Sequence, residues 1–211
     1  MTKATMLLGF MLSTVGWAGE RTLTICLPLS PKAEDVQTVW LAKVYATRIY
    51  RLIGVELRWK STCSQAEIEA AGTRLAPNLT TVGIEWARTA PAALPPGARA
   101  SARPFQPTGT RITVYQDRVA FPVGDRNRAA AVLGHVLAHE IGHVLLGHDG
   151  HSQEGLMKPH WSGREQNGMW CKLISFTAVE GEIIRRRLDR RRVGLAAIPE
   201  PSRATLPDFS K

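Results

Sequence analysis

Polar and apolar residues alternate from Arg21 to Leu29, with Leu23, Ile25, Leu27 and Leu29 on one side. A period of two predicts a half-buried strand. The period then lengthens: Val36, Val39, Trp40, Val44, Ile49 and Ile53 recur at helical spacing. Ser30 as N-cap, Pro31 at the first helical position and acidic Glu34 and Asp35 behind them predict a helix from Pro31 to about Leu52, stopped by Gly54. Val55 to Lys60 alternates again. Strand, helix and strand in this order predict a parallel pair joined by a crossover helix. A short helix is expected over Ser64–Ala71 and a third strand over Leu79–Trp86. The stretch Ala90–Gly109, with prolines at 91, 95, 96, 104 and 107 and no periodicity, reads as a surface loop. Arg111–Asp117 reads as a fourth strand, extending toward Phe121, with a free edge.

Asp125 opens the next helix, which runs from Arg126 to Gly147. Alanines favour it, and Gly147 is a natural stop. Val132, Leu133, Val136, Leu137, Ile141, Val144 and Leu145 cover most of its circumference, which predicts a buried helix. Thr177-Ala178-Val179-Glu180 is a capping box opening a last helix to about Arg192, with Ile183, Ile184 and Leu188 as its apolar stripe. Residues 193–211 carry three prolines and little pattern, and read as a poorly ordered tail.

The buried helix carries the candidate chemistry. All six histidines of the chain lie between positions 135 and 160. His139 and His143, four apart, fall on one helix face, so both imidazoles can reach one tetrahedral cation. Glu140 is offset by about a hundred degrees. It can stand beside such a cation and accept a proton from water without becoming a ligand. His135 shares the face, but three successive turns of a straight helix do not converge on one ion, so it reads as a packing residue. Gly142 leaves room for close packing beside the site.

The run His139 to Met157 resembles the zinc-binding region of the metzincin superfamily of metallopeptidases, His-Glu-x-x-His-x-x-Gly-x-x-His (or Asp) followed by a Met-turn. It also resembles small exported bacterial proteins with His-Glu-Ile/Leu-Gly-His-x-Leu-Leu-Gly followed by His-Ser-x-x-Gly-Ile/Leu-Met, here His151-Ser152-Gln153-Glu154-Gly155-Leu156-Met157. The resemblance implies an α+β fold: a small mixed sheet, a long N-terminal helix, a buried active-site helix, a Met-turn loop and a C-terminal helix. It implies a Zn2+ cofactor held by His139, His143 and a third ligand, with Glu140 as general base and Met157 as an apolar floor. The glycine register departs from the superfamily pattern: Leu146 stands where Gly is usual, and Gly147 follows one later. The third ligand is therefore His151, Asp149 or His148. Asp149 keeps the superfamily count, whereas His151 matches the His-Ser-x-x-Gly-x-Met element and ranks first. His160, Trp161 and, more weakly, Tyr115 are candidates for lining the cleft.

Composition adjusts this picture at the margins. A 44% apolar content is ordinary for a chain with its own core, and 211 residues suit one domain. Lys3, the apolar run Met6–Ala18 and the small residue ending it read as an export signal over residues 1–18. The catalytic domain is then 19–192, with no membrane span after cleavage. Export permits one disulfide among Cys26, Cys63 and Cys171, and Cys26–Cys63 is the preferred pair. More than half of the +9 net charge comes from Arg185, Arg186, Arg187, Arg190, Arg191 and Arg192, set against Asp189. This reads as a solvated helix end or as a patch for an anionic surface; no motif points to nucleic acid. The expectation is an exported, monomeric zinc endopeptidase acting on peptide or protein. A non-catalytic metal-binding scaffold, or a zinc hydrolase of another amide such as cell-wall peptide, stands as the alternative.

Overall fold

In the computed structural model, which describes residues 21–29, 36–70, 81–106, 109–119, 125–147 and 150–196, the first unit is the parallel pair that the alternation predicts. Strand β1 (Arg21–Cys26) lies beside β2 (Val55–Lys60), with Arg21 opposite Val55 and Cys26 opposite Lys60. Helix α1 (Val36–Arg51) crosses between them. It buries Val39, Ala42, Ala46, Ile49 and Tyr50. Trp59 of β2 donates its indole N–H to Thr47 of α1, 2.9 Å. Leu23 and Ile25 are wholly buried, as the period-two pattern requires. The proposed cap at Ser30-Pro31 falls outside the described residues, as do the export signal and the tail beyond Ala196.

Three more strands complete a five-stranded, mostly parallel sheet: β3 (Thr81–Ala87), β4 (Ala100–Gln106) and β5 (Gly109–Tyr115). Its order is β2-β1-β3-β5-β4, and only the β4–β5 pair is antiparallel. Helix α2 (Gln65–Ala70) precedes β3. Two sequence expectations fail here. The proline-rich stretch is not all loop, because Ala100–Gln106 pairs with β5. Pro104 is tolerated because β4 is an edge strand and its register shifts between Arg103 and Gln106. In consequence Arg111–Asp117 is not the sheet edge: β5 is covered on both sides, and β4 holds the edge.

Helix α3 (Arg126–Leu146) packs against α1 and reaches β4 and β5. Gly134 permits the close crossing, since a Cβ there would lie 2.5 Å from Cβ of Tyr45 and 2.7 Å from the Ala42 carbonyl oxygen. The Tyr50 hydroxyl donates to the Ala138 carbonyl across the same contact, 3.1 Å. By length and hydropathy α3 is apolar enough to cross a bilayer, but its apolar surface is buried against the rest of the chain.

Helix α4 (Gly163–Gly168), absent from the sequence reading, begins at a full capping box of Ser162 and Glu165. The last helix, α5 (Ala178–Ala196), begins at the expected Thr177/Glu180 box, with Glu180 N–H donating to Thr177 Oγ1 at 3.3 Å. Three of its arginines have described partners within the fold. Arg185 and Arg186 pair with Glu182 at 2.7 and 2.6 Å, and Arg187 donates to the Leu145 carbonyl at 3.1 Å. Asp189 receives Arg21 through two 2.8 Å bonds, tying α5 to β1. A Cys26–Cys63 disulfide joins the ends of β1 and β2, and Cys171 is a free, exposed thiol.

Candidate metal centre

The histidine-bearing helix is fixed at both ends by the residues that define it. Asp125 accepts from the Arg128 N–H at 3.2 Å. Gly147, at φ 66°, takes the left-handed conformation that closes a helix, and its N–H donates to the His143 carbonyl at 2.8 Å. Between these caps His135, His139, Glu140 and His143 are all buried.

His139 is oriented by a backbone group. The Leu156 carbonyl can only accept, so His139 Nδ1 carries the proton and donates to it at 2.9 Å. That leaves Nε2 as the lone-pair atom, 3.0 Å from Nε2 of His143. Two imidazoles sharing a tetrahedral zinc at ~2.0–2.1 Å hold their donor atoms roughly 3.3 Å apart, so this spacing suits the ion. His151 completes the set. Its ring centroid lies 5.4 Å from that of His139 and 4.9 Å from that of His143. One donor atom from each of the three residues falls within 4.8 Å of the others. Three convergent imidazoles are compatible with zinc. Burial, opposed by the Leu156 bond, lowers the His139 pKa to about 4, so the ring is neutral and available to a metal at ordinary pH.

The loop carrying His151 is held from several sides. Ser152 N–H donates to the Met157 carbonyl and Leu156 N–H to the Ser175 carbonyl, both at 2.8 Å. Ser152 Oγ also bonds Glu180 of the α5 capping box. Gly155 turns the loop at φ 74°, and a Cβ there would lie 2.9 Å from the Ser175 carbonyl oxygen. Met157 is buried beneath α3. His148 and Asp149 lie outside the described residues.

Glu140 faces β4, and its carboxylate accepts the Ala102 backbone N–H. Burial, only partly opposed by that bond, raises its pKa to about 7. A carboxyl with this value both accepts and releases a proton near neutrality. His135 takes no part in the cluster: Nδ1–H donates to the Ala131 carbonyl at 2.7 Å, and Nε2 accepts from Ile174 N–H at 3.0 Å. Both nitrogens are thus engaged.

A cleft of roughly 520 Å³ opens over the three imidazoles and Glu140. Leu94, Pro95 and Gly97–Ala102 line it on one side and Lys158–Trp161 on the other, with Gln166 of α4. His160 and Trp161 are therefore cleft residues, the Trp161 ring meeting His139 edge-on at 5.5 Å. Tyr115 is not. It is buried on the covered strand β5, with its hydroxyl 2.7 Å from Ser101 Oγ. Sequence reasoning missed the Ala102 N–H, Arg99, Lys158 and Gln166. Only Gln166 had a signal, the Ser162-x-x-Glu165 box that places its helix.

No protein-family model matches this chain, and no curated protein matches it. Among solved structures, the chain is similar to archaemetzincin from Methanopyrus kandleri, with 18% sequence identity and a TM-score of 0.44. The similarity covers 83% of this chain and 99% of that one.

Proposed function

We propose that this chain is an exported zinc-dependent peptidase, with His139, His143 and His151 as the metal ligands and Glu140 as general base. The observation that carries the reading is the convergence of three imidazoles within 4.8 Å beside a buried carboxyl, all on the floor of one cleft. A bound zinc ion acidifies water and polarises a carbonyl. Glu140 takes the proton from the attacking water and returns it to the leaving amine. Ala102 holds that carboxylate on the cleft side of β4. An extended peptide can pair with the β4 edge and so lie across the site. Met157 plays the part of an apolar floor: it packs under Gly142, beside the ligand His143, and offers no ligand of its own. The Cys26–Cys63 disulfide supports an oxidising compartment and hence export.

The test is direct. Purified protein should carry one zinc, and Glu140→Ala should keep the zinc yet lose cleavage of a mixed peptide library. Wild-type protein that holds zinc but cuts nothing in the library would leave a metal-binding scaffold instead.

A further inference from the structure

We infer that Arg99 is the specificity-determining residue of the cleft and binds a substrate carboxylate; as a statement about cleaved peptides, this rests on the peptidase reading. Four cleft-lining residues can carry charge besides the three imidazoles of the cluster: Arg99, Lys158, His160 and Glu140. Glu140 is turned to the Ala102 N–H. Lys158 is neutralised by Glu165, 2.7 Å away. Arg99 is different. Its described side-chain partner is the neutral Gln166, whose Oε1 accepts from Nη2 at 3.1 Å, and among the described residues no carboxylate pairs with it. Elsewhere two partly buried guanidinium groups meet carboxylates, Arg21 with Asp189 and Arg185 with Glu182, and two meet backbone carbonyls, Arg118 with Pro95 and Ala98 and Arg187 with Leu145. The cleft's lysine, Lys158, also meets a carboxylate. Arg99 faces the cleft with a neutral side-chain amide as its described partner.

Arg99 is also held in advance. Its carbonyl accepts the Tyr115 N–H at 3.0 Å, which pins the main chain to the end of β5. The preceding carbonyl, Ala98, accepts from Arg118 at 3.0 Å. Gln166 in turn donates to the Trp161 carbonyl at 2.9 Å, so the clamp on the guanidinium is itself fixed to the opposite wall. A guanidinium offers five N–H donors in a planar fork, and the described bond occupies one. What fits the remainder is a carboxylate taken in two parallel bonds. Fixing the fork beforehand lowers the ordering cost of binding. The carboxylate can belong to an Asp or Glu side chain or to a peptide C-terminus.

The experiment uses full-length Glu140→Ala protein purified with zinc, titrated calorimetrically. The probes are alanine hexapeptides, blocked at both ends, with one Glu scanned along the sequence. Their Gln counterparts, and a Gln peptide with a free C-terminal carboxylate, complete the set. At least one carboxylate-bearing peptide should bind roughly 10–100-fold tighter than its neutral counterpart, the range of a charge-assisted hydrogen-bond pair. Whether the gain appears with Glu or with the free terminus identifies the source. Arg99→Gln should abolish the preference and Arg99→Lys should keep part of it, with zinc content and circular dichroism unchanged. Equal affinities, no binding, or a preference that survives Arg99→Gln would overturn the proposal. Wild-type cleavage is scored separately. An Arg99-dependent preference without any cleavage removes the peptidase reading alone; cleavage indifferent to carboxylates removes the Arg99 assignment alone.

Discussion

Met157 occupies the space that a side chain at Gly142 would need. A Cβ on Gly142 would lie 2.7 Å from Met157 Sδ and 3.0 Å from Phe176 Cε1. Gly142→Ala should therefore destabilise the protein by about 1–3 kcal/mol, the usual range for overpacking. It should also weaken zinc binding, since the displaced turn carries His143. Thermal denaturation and zinc affinity measure the two effects. Met157→Ala in the Gly142→Ala background should recover part of the loss, so that the double variant is more stable than the two single losses added. Strict additivity would mean the contact is not the cause.

Removing any one imidazole of the cluster should remove the metal. His139→Ala, His143→Ala and His151→Ala are each expected to lose stoichiometric zinc, while His148→Ala and Asp149→Ala keep it. A ligand that binds only the folded state stabilises it by about 4 kcal/mol at a thousand times its Kd. A zinc-dependent thermal shift should thus be present in the wild type and the last two variants, and absent in the first three. Equal zinc loss in Asp149→Ala and His151→Ala would contradict the ligand set.

Acid should unfold the metal-free protein partly through His135. Burial holds its folded pKa below the ordinary value, against the pull of the Ala131 bond, and lowers that of His139 to about 4. Both rings bind protons more readily once unfolded. Their contribution to stability is complete above about pH 6.5 and is lost as the pH falls through the folded values. Glu140 acts in the opposite sense: its folded pKa is raised to about 7, and protonating it near that pH relieves a buried charge. Comparing variants isolates one group. His135→Asn should flatten the dependence of unfolding free energy on pH between 6.5 and lower values. An unchanged slope would show that His135 is not held neutral.

The Cys26–Cys63 bridge spans a sequence separation of 37. By loop-closure entropy it stabilises the fold by roughly 3–4 kcal/mol. Urea denaturation with and without reductant, or of the Cys26→Ser/Cys63→Ser protein, should show a loss of that order. Cys171→Ser, at an exposed free thiol, should change little.

What could be read in advance follows from how local its cause is. Helix α3 was legible because Asp125, the apolar circumference and Gly147 lie in one continuous run. β1 and β2 were legible from alternation alone. β4 was not: alanines and Pro104 hide an edge strand whose one partner among the described residues is the strand after it, so no periodicity marks it. The edge was misplaced for the same reason. His139, Glu140 and His143 share a helix turn or two, so their grouping was visible. The approach of His151 depends on Gly155 and on bonds to Ser175 and Glu180, which no spacing rule encodes. Arg99 meets Gln166 across 67 positions of sequence, and nothing local distinguishes it from any other arginine.

Glu180 closes two structures with one carboxylate. One oxygen accepts the Thr177 N–H at 2.8 Å and starts α5; the other bonds Ser152, the neighbour of His151. The two ends of this arrangement are linked in free energy, and such linkage runs both ways by the same factor. Under the proposed ligand set, whatever frays the first turn of α5 should lower the affinity of the site for its ion. Conversely, an ion bound in the cleft should slow the exchange of amide protons in a helix that supplies none of the proposed ligands.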